Sequence, residues 1–145
     1  MNAKLLSVVA TIALVAAVVY LVYTESLFGS GPISIGLQVA AVLLMLWARR
    51  TFGLRSFHFS ANPTEGGLVT TGPYRYLRHP IYVAALLFIW TGIAVHPSPR
   101  SLLAGLVATA AVLARMLSEE RLLRERYPEY ADYARRAKRL VPFLY

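Results

Sequence analysis

The sequence predicts an all-α integral membrane protein, with about four transmembrane helices, a cytoplasmic loop in the middle and a C-terminal interfacial helix. Three observations carry this. Hydrophobic residues make up 57% of the 145 and charged residues only 15%, with a mean hydropathy of +0.54; a chain this short has too little interior to bury so much apolar surface in water. Four runs are apolar enough, and nearly free enough of charge, to cross a bilayer, which takes roughly 20 such residues. The basic excess, 15 Lys and Arg against 7 Asp and Glu, collects on one side of those runs. High hydrophobicity excludes disorder. The absence of Cys excludes disulfides, Cys-ligated zinc, iron–sulfur clusters and a thiol nucleophile.

The whole chain, 1–145, reads as a single membrane domain, and residues 1–50 hold the first two spans. Leu5 to Tyr23 runs 19 residues without a charge. Although Lys4 resembles a basic leader region, this run exceeds the usual hydrophobic core of a signal peptide. It ends in Tyr20-Leu21-Val22-Tyr23 with no small-residue cleavage site, so it is expected to be a span. Gly31 to Ala48 is equally free of charge up to Arg49 and Arg50. Residues 51–80 form the cytoplasmic loop, where Asn62-Pro63, Gly66-Gly67 and Gly72-Pro73 predict ordered but irregular backbone. Gly66-Gly67 follows no predicted strand and matches no dinucleotide-binding fingerprint. Residues 81–117 form a helical hairpin of Ile81 to Val95, with His96 to Pro99 at its far rim, and Ser101 to Leu117. Only Arg115 interrupts the latter, near enough to its end for the side chain to snorkel toward headgroups. Residues 118–145 form a cytoplasmic C-terminal segment. There a new helix can begin after Tyr127-Pro128, and Tyr127, Tyr130, Tyr133, Ala137 and Leu140 recur at spacings of three and four, with Arg135, Arg136, Lys138 and Arg139 toward the end. Such a stripe fits a helix lying on headgroups and fits core packing equally well.

The loop between the second and third spans carries Arg49, Arg50, Arg55, Arg75 and Arg78 against Glu65, a balance of +4, and the tail from Arg115 onward adds +3. The other two connections hold only Glu25 and only Arg100. Both termini and the middle loop are therefore expected in the cytoplasm, where anionic lipid meets the basic excess and no nucleic acid is needed to explain it. The sequence gives no oligomeric state.

The chemistry concentrates in two places. Thr71-Gly-Pro-Tyr74-Arg75-Tyr-Leu-Arg78-His79-Pro80-Ile-Tyr82 leads into the third span, a composition that an interfacial anchor of aromatic and basic residues also explains. The adjacent carboxylates Glu119 and Glu120, at the end of the fourth span, are no anchor pattern, because like charges at a low-dielectric boundary repel unless cations meet them. Arg115 and Arg124, each four residues away on the same helix face, are one source of such cations; the Arg and His of the loop are another.

The run Leu68 to Tyr82, followed by Trp90 and Gly92, resembles the isoprenylcysteine carboxyl methyltransferase family and, more distantly, the phospholipid N-methyltransferases. The tail is similar too, in Arg115-x3-Glu119-Glu120-x2-Leu123, Tyr127-Pro-Glu-Tyr130-x2-Tyr133 and Val141-Pro142. With Phe57-His58 the resemblance covers residues 55 to 145, while the first two spans carry only hydrophobicity. It implies methyl transfer from S-adenosylmethionine, with the cofactor held by Tyr74, Arg75, Arg78, His79, Pro80, Tyr82, Glu119 and Glu120. Relatives carry Gly two residues beyond the motif tyrosine, where this chain has Ala84; the added methyl narrows approach to the cofactor or fills helix packing.

The residue chemistry suits that cofactor. Glu119 or Glu120 matches its ammonium or ribose, Arg75 or Arg78 its carboxylate, and His79 and Tyr74 hydrogen-bond around a nucleoside. The sulfonium is already activated, so Arg115 and Glu119, read as the catalytic pair, would act by positioning and charge. The implied acceptor is a lipidic small molecule entering from the membrane, foremost the carboxylate of an isoprenylated cysteine held by Arg115. A phospholipid amine is the alternative acceptor, and it would need a base. A non-catalytic subunit or small transporter is the alternative class; against transport, the first three spans hold no ionisable residue at mid-membrane. The charge distribution predicts that Ser30→Cys and Ser98→Cys react with an impermeant thiol reagent outside intact cells while Gly67→Cys does not; the reverse labelling overturns this topology.

Overall fold

Charge-free length decides the helices. The structure, a computed structural model, describes residues 3–53 and 67–140. Within them run α1 (Ala3–Tyr23), α2 (Pro32–Phe52), a 3-10 turn (Gly72–Arg75), α3 (Pro80–Val95), α4 (Pro99–Arg126) and α5 (Tyr130–Arg136). No strand occurs among the described residues, only an isolated bridge between Leu77 and Lys138. Phe57-His58, Asn62-Pro63, Arg55, Glu65, Gly66 and Val141-Pro142 lie outside the described residues.

α1, α2 and α4 are long and apolar enough to cross a membrane. α3 has 16 residues, about 24 Å at 1.5 Å per residue, and is shorter than a full span. α2 continues through Arg49 and Arg50, whose charges favour a helix C-terminus, and stops at Gly53, whose φ of +71 suits glycine. α4 runs to Arg126, well past Leu117, so Glu119 and Glu120 sit on continuous helix. Its start is fixed by a capping box: Ser98 Oγ accepts from the Ser101 N–H at 3.0 Å, and Ser101 Oγ accepts from the Ser98 N–H at 2.9 Å.

Helix pairing follows the small residues. α1 lies along α4, with Ser7, Ala10 and Ala17 buried on one side and Ala104, Ala108 and Ala111 on the other. Such residues let transmembrane backbones approach closely. Leu21, Ile89, Ile93 and Ala108 form the apolar core, while Leu5, Val9, Ile12, Val15 and Val19 point outward as a lipid-facing stripe.

α2 lies along α3, and here the second span carries more than hydrophobicity. Buried Gln38 donates to the Leu27 carbonyl at 2.8 Å and the Phe88 carbonyl at 3.1 Å, and accepts from the Gly29 N–H at 2.9 Å. It stitches the α1–α2 connection to α3. Gly92 is required at the same place, because a Cβ there would sit 2.0 Å from the Leu27 carbonyl oxygen.

α5 is shorter than the aromatic stripe suggests. It has seven residues, and Ala137 is already extended, with ψ 136. Of the two environments open to that stripe, Tyr130, Tyr133 and Ala137 take the packed one, buried together against Leu68, Leu123 and Tyr127.

Replacing Gln38 by Leu leaves the Leu27 carbonyl and the Gly29 N–H without their partner, which costs about 1–3 kcal/mol for a buried group. A lower melting midpoint in detergent is expected for Gln38→Leu, and an unchanged one would show that this stitch does not hold the fold.

Candidate active site

The site forms where the chain enters α3. Gly72 begins the approach with φ +57, and a Cβ there would meet Thr51 Oγ1 at 2.5 Å, so only glycine lets this turn lie against α2. The buried Tyr74 ring lies 5.5 Å from that of Phe52. From α5, the Tyr133 hydroxyl donates to the Tyr74 carbonyl at 2.7 Å. Burial pushes both phenols well up, with the Glu119 charge adding to the effect at Tyr74 and the neighbouring Tyr130 adding to it at Tyr133.

Backbone pairing then fixes the motif. The Arg78 N–H donates to the Lys138 carbonyl at 2.6 Å, and the Lys138 N–H to the Tyr76 carbonyl at 3.0 Å. Pro80 occupies the first turn of α3, where its missing N–H costs nothing, and His79 is the N-cap residue but makes no side-chain cap bond. Its ring turns to α4 instead.

Two carboxylates receive these groups differently. Glu120 is enclosed, with its side chain 4% exposed. Arg78 Nη1 lies 2.8 Å and His79 Nε2 3.2 Å from its Oε1, while Arg139 Nη2 at 3.2 Å and Arg124 Nη2 at 3.6 Å flank its Oε2. Glu119 is more open, at 25%. Its Oε1 accepts from the Tyr82 hydroxyl and lies 3.3 Å from Arg115 Nη2. Among the described residues its Oε2 has only His79 Nδ1, at 3.8 Å, beyond hydrogen-bonding distance. The rings of His79 and Tyr82 stack with centroids 5.7 Å apart.

Arg115 turns into the helix bundle. Its buried guanidinium donates from Nε to the Tyr82 hydroxyl at 2.9 Å and from Nη1 to Thr11 Oγ1, so it reaches α3 and α1. Of the residues expected at the site, Arg78, His79, Tyr82, Arg115, Glu119 and Glu120 meet in one cluster. Pro80 and Tyr74 support it from behind. Arg75 stands apart, exposed and over the Tyr76 ring at 5.9 Å. Two members were not anticipated. Arg139 gave no signal within its basic cluster, and Thr11 gave only a faint one, a hydroxyl four residues after Ser7 in an otherwise apolar run.

Comparison with known proteins bears on this arrangement. Residues 27–130 match the sequence profile of the family described as phospholipid methyltransferase. The chain belongs to that family. It is the one that includes the isoprenylcysteine carboxyl methyltransferases, and the matched region runs from the connection before α2 to the start of α5, taking in every cluster residue except Thr11 and Arg139. Among curated proteins, the chain is 40% identical over 79 residues to the nickel-cobalt-cadmium resistance protein NccN of Alcaligenes xylosoxydans xylosoxydans, covering 53% of this chain and 37% of that protein. It is 39% identical over 79 residues to the cobalt-zinc-cadmium resistance protein CzcN of Cupriavidus metallidurans, covering 53% and 36%. The matches thus span little more than a third of these relatives' length. No solved structure matches the chain. Among the described residues, no group of three or more His, Cys, Asp or Glu is arranged to hold a metal ion.

The two glutamates should separate in a stability measurement. Glu120→Gln leaves enclosed arginines facing a neutral amide, a loss of about 3–5 kcal/mol by the measure of broken buried pairs. It is expected to lower the melting midpoint far more than Glu119→Gln, and equal shifts would contradict the division of roles seen in the contacts.

Proposed function

We propose that this chain is an integral-membrane methyltransferase that uses S-adenosylmethionine to methylate an anionic lipidic acceptor, foremost the carboxylate of an isoprenylated cysteine. The observation that carries this reading is the state of Glu119. One of its oxygens is held by Tyr82 and Arg115, while the other faces outward with no partner within hydrogen-bonding distance among the described residues. A positioned carboxylate with one oxygen left over is a receptor for an ammonium or a pair of hydroxyls, and the cofactor has both.

The residues present therefore fit S-adenosylmethionine, with a sharper assignment than the sequence allowed. Glu119 is the carboxylate that meets it. Glu120 holds Arg78 and His79 beside Glu119. Arg75 is set aside by its exposed position. When bound, the cofactor supplies a methyl group already activated on sulfur, so the chain's task is to orient, to exclude water and to balance charge.

Charge balance favours an anionic acceptor. Among the described residues, Arg78, Arg115, Arg124 and Arg139 gather around Glu119 and Glu120. A carboxylate acceptor has no proton to lose and suits a site lined by arginines, whereas a phospholipid ammonium is repelled by them and needs a base. The basic excess of the middle loop and C-terminal segment supports a cytoplasmic face for this site.

Calorimetry with S-adenosylhomocysteine should show saturable binding that Glu119→Gln weakens by about 1–3 kcal/mol, the scale of a charged hydrogen bond. Labelled methyl groups should then pass from S-adenosylmethionine to a farnesylated cysteine derivative. Folded wild-type protein that does not bind would sink the enzyme reading in favour of a non-catalytic membrane subunit. Methylation of phosphatidylethanolamine with the prenylcysteine ignored would replace the carboxylate acceptor by an amine.

A further inference from the structure

Thr11 lies on α1, upstream of the residues that match the family profile, yet its side chain reaches the cluster. Its hydroxyl donates to the Ser7 carbonyl one turn earlier at 2.8 Å, a back-bond that fixes the proton and leaves the oxygen lone pairs turned outward. Into those lone pairs Arg115 donates from Nη1. The approach is possible because Ser7 and Ala10, buried beside Thr11, are small enough to bring α1 close to α4.

The guanidinium is planar, so its contacts set its orientation. Nε and Nη2 reach Tyr82 on α3 and Glu119 on α4, at 2.9 and 3.3 Å. Nη1 reaches α1. Contacts to three helices hold the plane against rotation. Tyr82 closes the ring by donating to the same Glu119 oxygen that Arg115 approaches.

We infer that Thr11 is a positioning residue: from α1 it holds the Arg115 guanidinium in the plane that presents the outward oxygen of Glu119 to the ligand, so the amino-terminal helix completes the site. This rests on the ligand role given to Glu119 above. A buried arginine among apolar helices turns toward whatever acceptor is offered. The hydroxyl of Thr11 offers one from α1.

The test uses the full chain in detergent, with S-adenosylhomocysteine as the probe and calorimetry as the readout. Thr11→Val, which keeps the volume and removes the hydroxyl, should weaken binding about tenfold, equivalent to about 1.4 kcal/mol. Thr11→Ser, which keeps the hydroxyl, should bind within about twofold of wild type, well inside that tenfold step. In a Glu119→Gln background Thr11→Val should have no further effect, because a residue acting through Glu119 has nothing left to position, whereas a packing defect would add in full. Valine as good as wild type, serine as poor as valine, or additive losses in the double variant each overturn the inference while leaving the ligand role of Glu119 intact. Wild-type affinity in Glu119→Gln alone overturns that role, and the positioning assignment falls with it.

Discussion

Two adjacent carboxylates at the end of an apolar helix form the constraint on which the rest of the structure depends. Neither is stable beside the other at a low-dielectric boundary without cations. Every element near them is arranged to bring one: the turn before α3 brings Arg78, α4 brings Arg115 and Arg124, and the extended stretch after α5 brings Arg139. Because the cations come from distant parts of the sequence, neutralising Glu120 and assembling the site are the same event. Glu119, less enclosed, keeps one oxygen clear of any hydrogen bond among the described residues.

The opposite end of the bundle is held by other means. There Gln38 satisfies backbone groups of the α1–α2 connection and of α3 at once, and Gly92 lets that connection lie against α3. A buried amide in an apolar helix is tolerable because each of its polar atoms has a partner. Trp90 adds a hydrogen bond to Thr109 at 3.0 Å, joining α3 to α4. The two ends thus differ in kind: neutral hydrogen bonds at one and charge pairs at the other, with small-residue packing between.

The helices were legible in the sequence because a span of about 20 apolar residues has few other uses. Their ends were less so. Arg49 and Arg50 read as a boundary, but arginine is a good helix former and suits a helix C-terminus, so α2 continues through both. The tyrosine stripe kept its helical period to Leu140, yet the chain turns extended at Ala137 to pair Lys138 with the motif backbone, a tertiary choice that periodicity cannot encode. In the site, charge called for partners beside the glutamate pair and offered two sources, Arg115 and Arg124 on the same helix or the Arg and His of the loop; the structure uses both. The inward turn of Arg115 could not be anticipated, since its direction depends on a threonine hydroxyl more than 100 positions away, and hydroxyls in helices ordinarily serve only their own backbone. Arg139 was hidden for a similar reason: the bridge to Leu77 selects which of several neighbouring basic side chains faces Glu120.

That bridge has a bearing on how the protein is made. Translation delivers the motif at Leu77 to His79 well before Lys138 and Arg139, and α1 through α4 are all complete in the chain before Lys138 is added. Chains assemble from the amino end as they emerge, so α1 to α4 are all present while Glu120 still lacks Arg139. Only when the last stretch docks does the glutamate gain that cation and the motif its backbone partner. Closing the site thus depends on residues 137–140, which leave the ribosome after all four helices, and not on the helices alone.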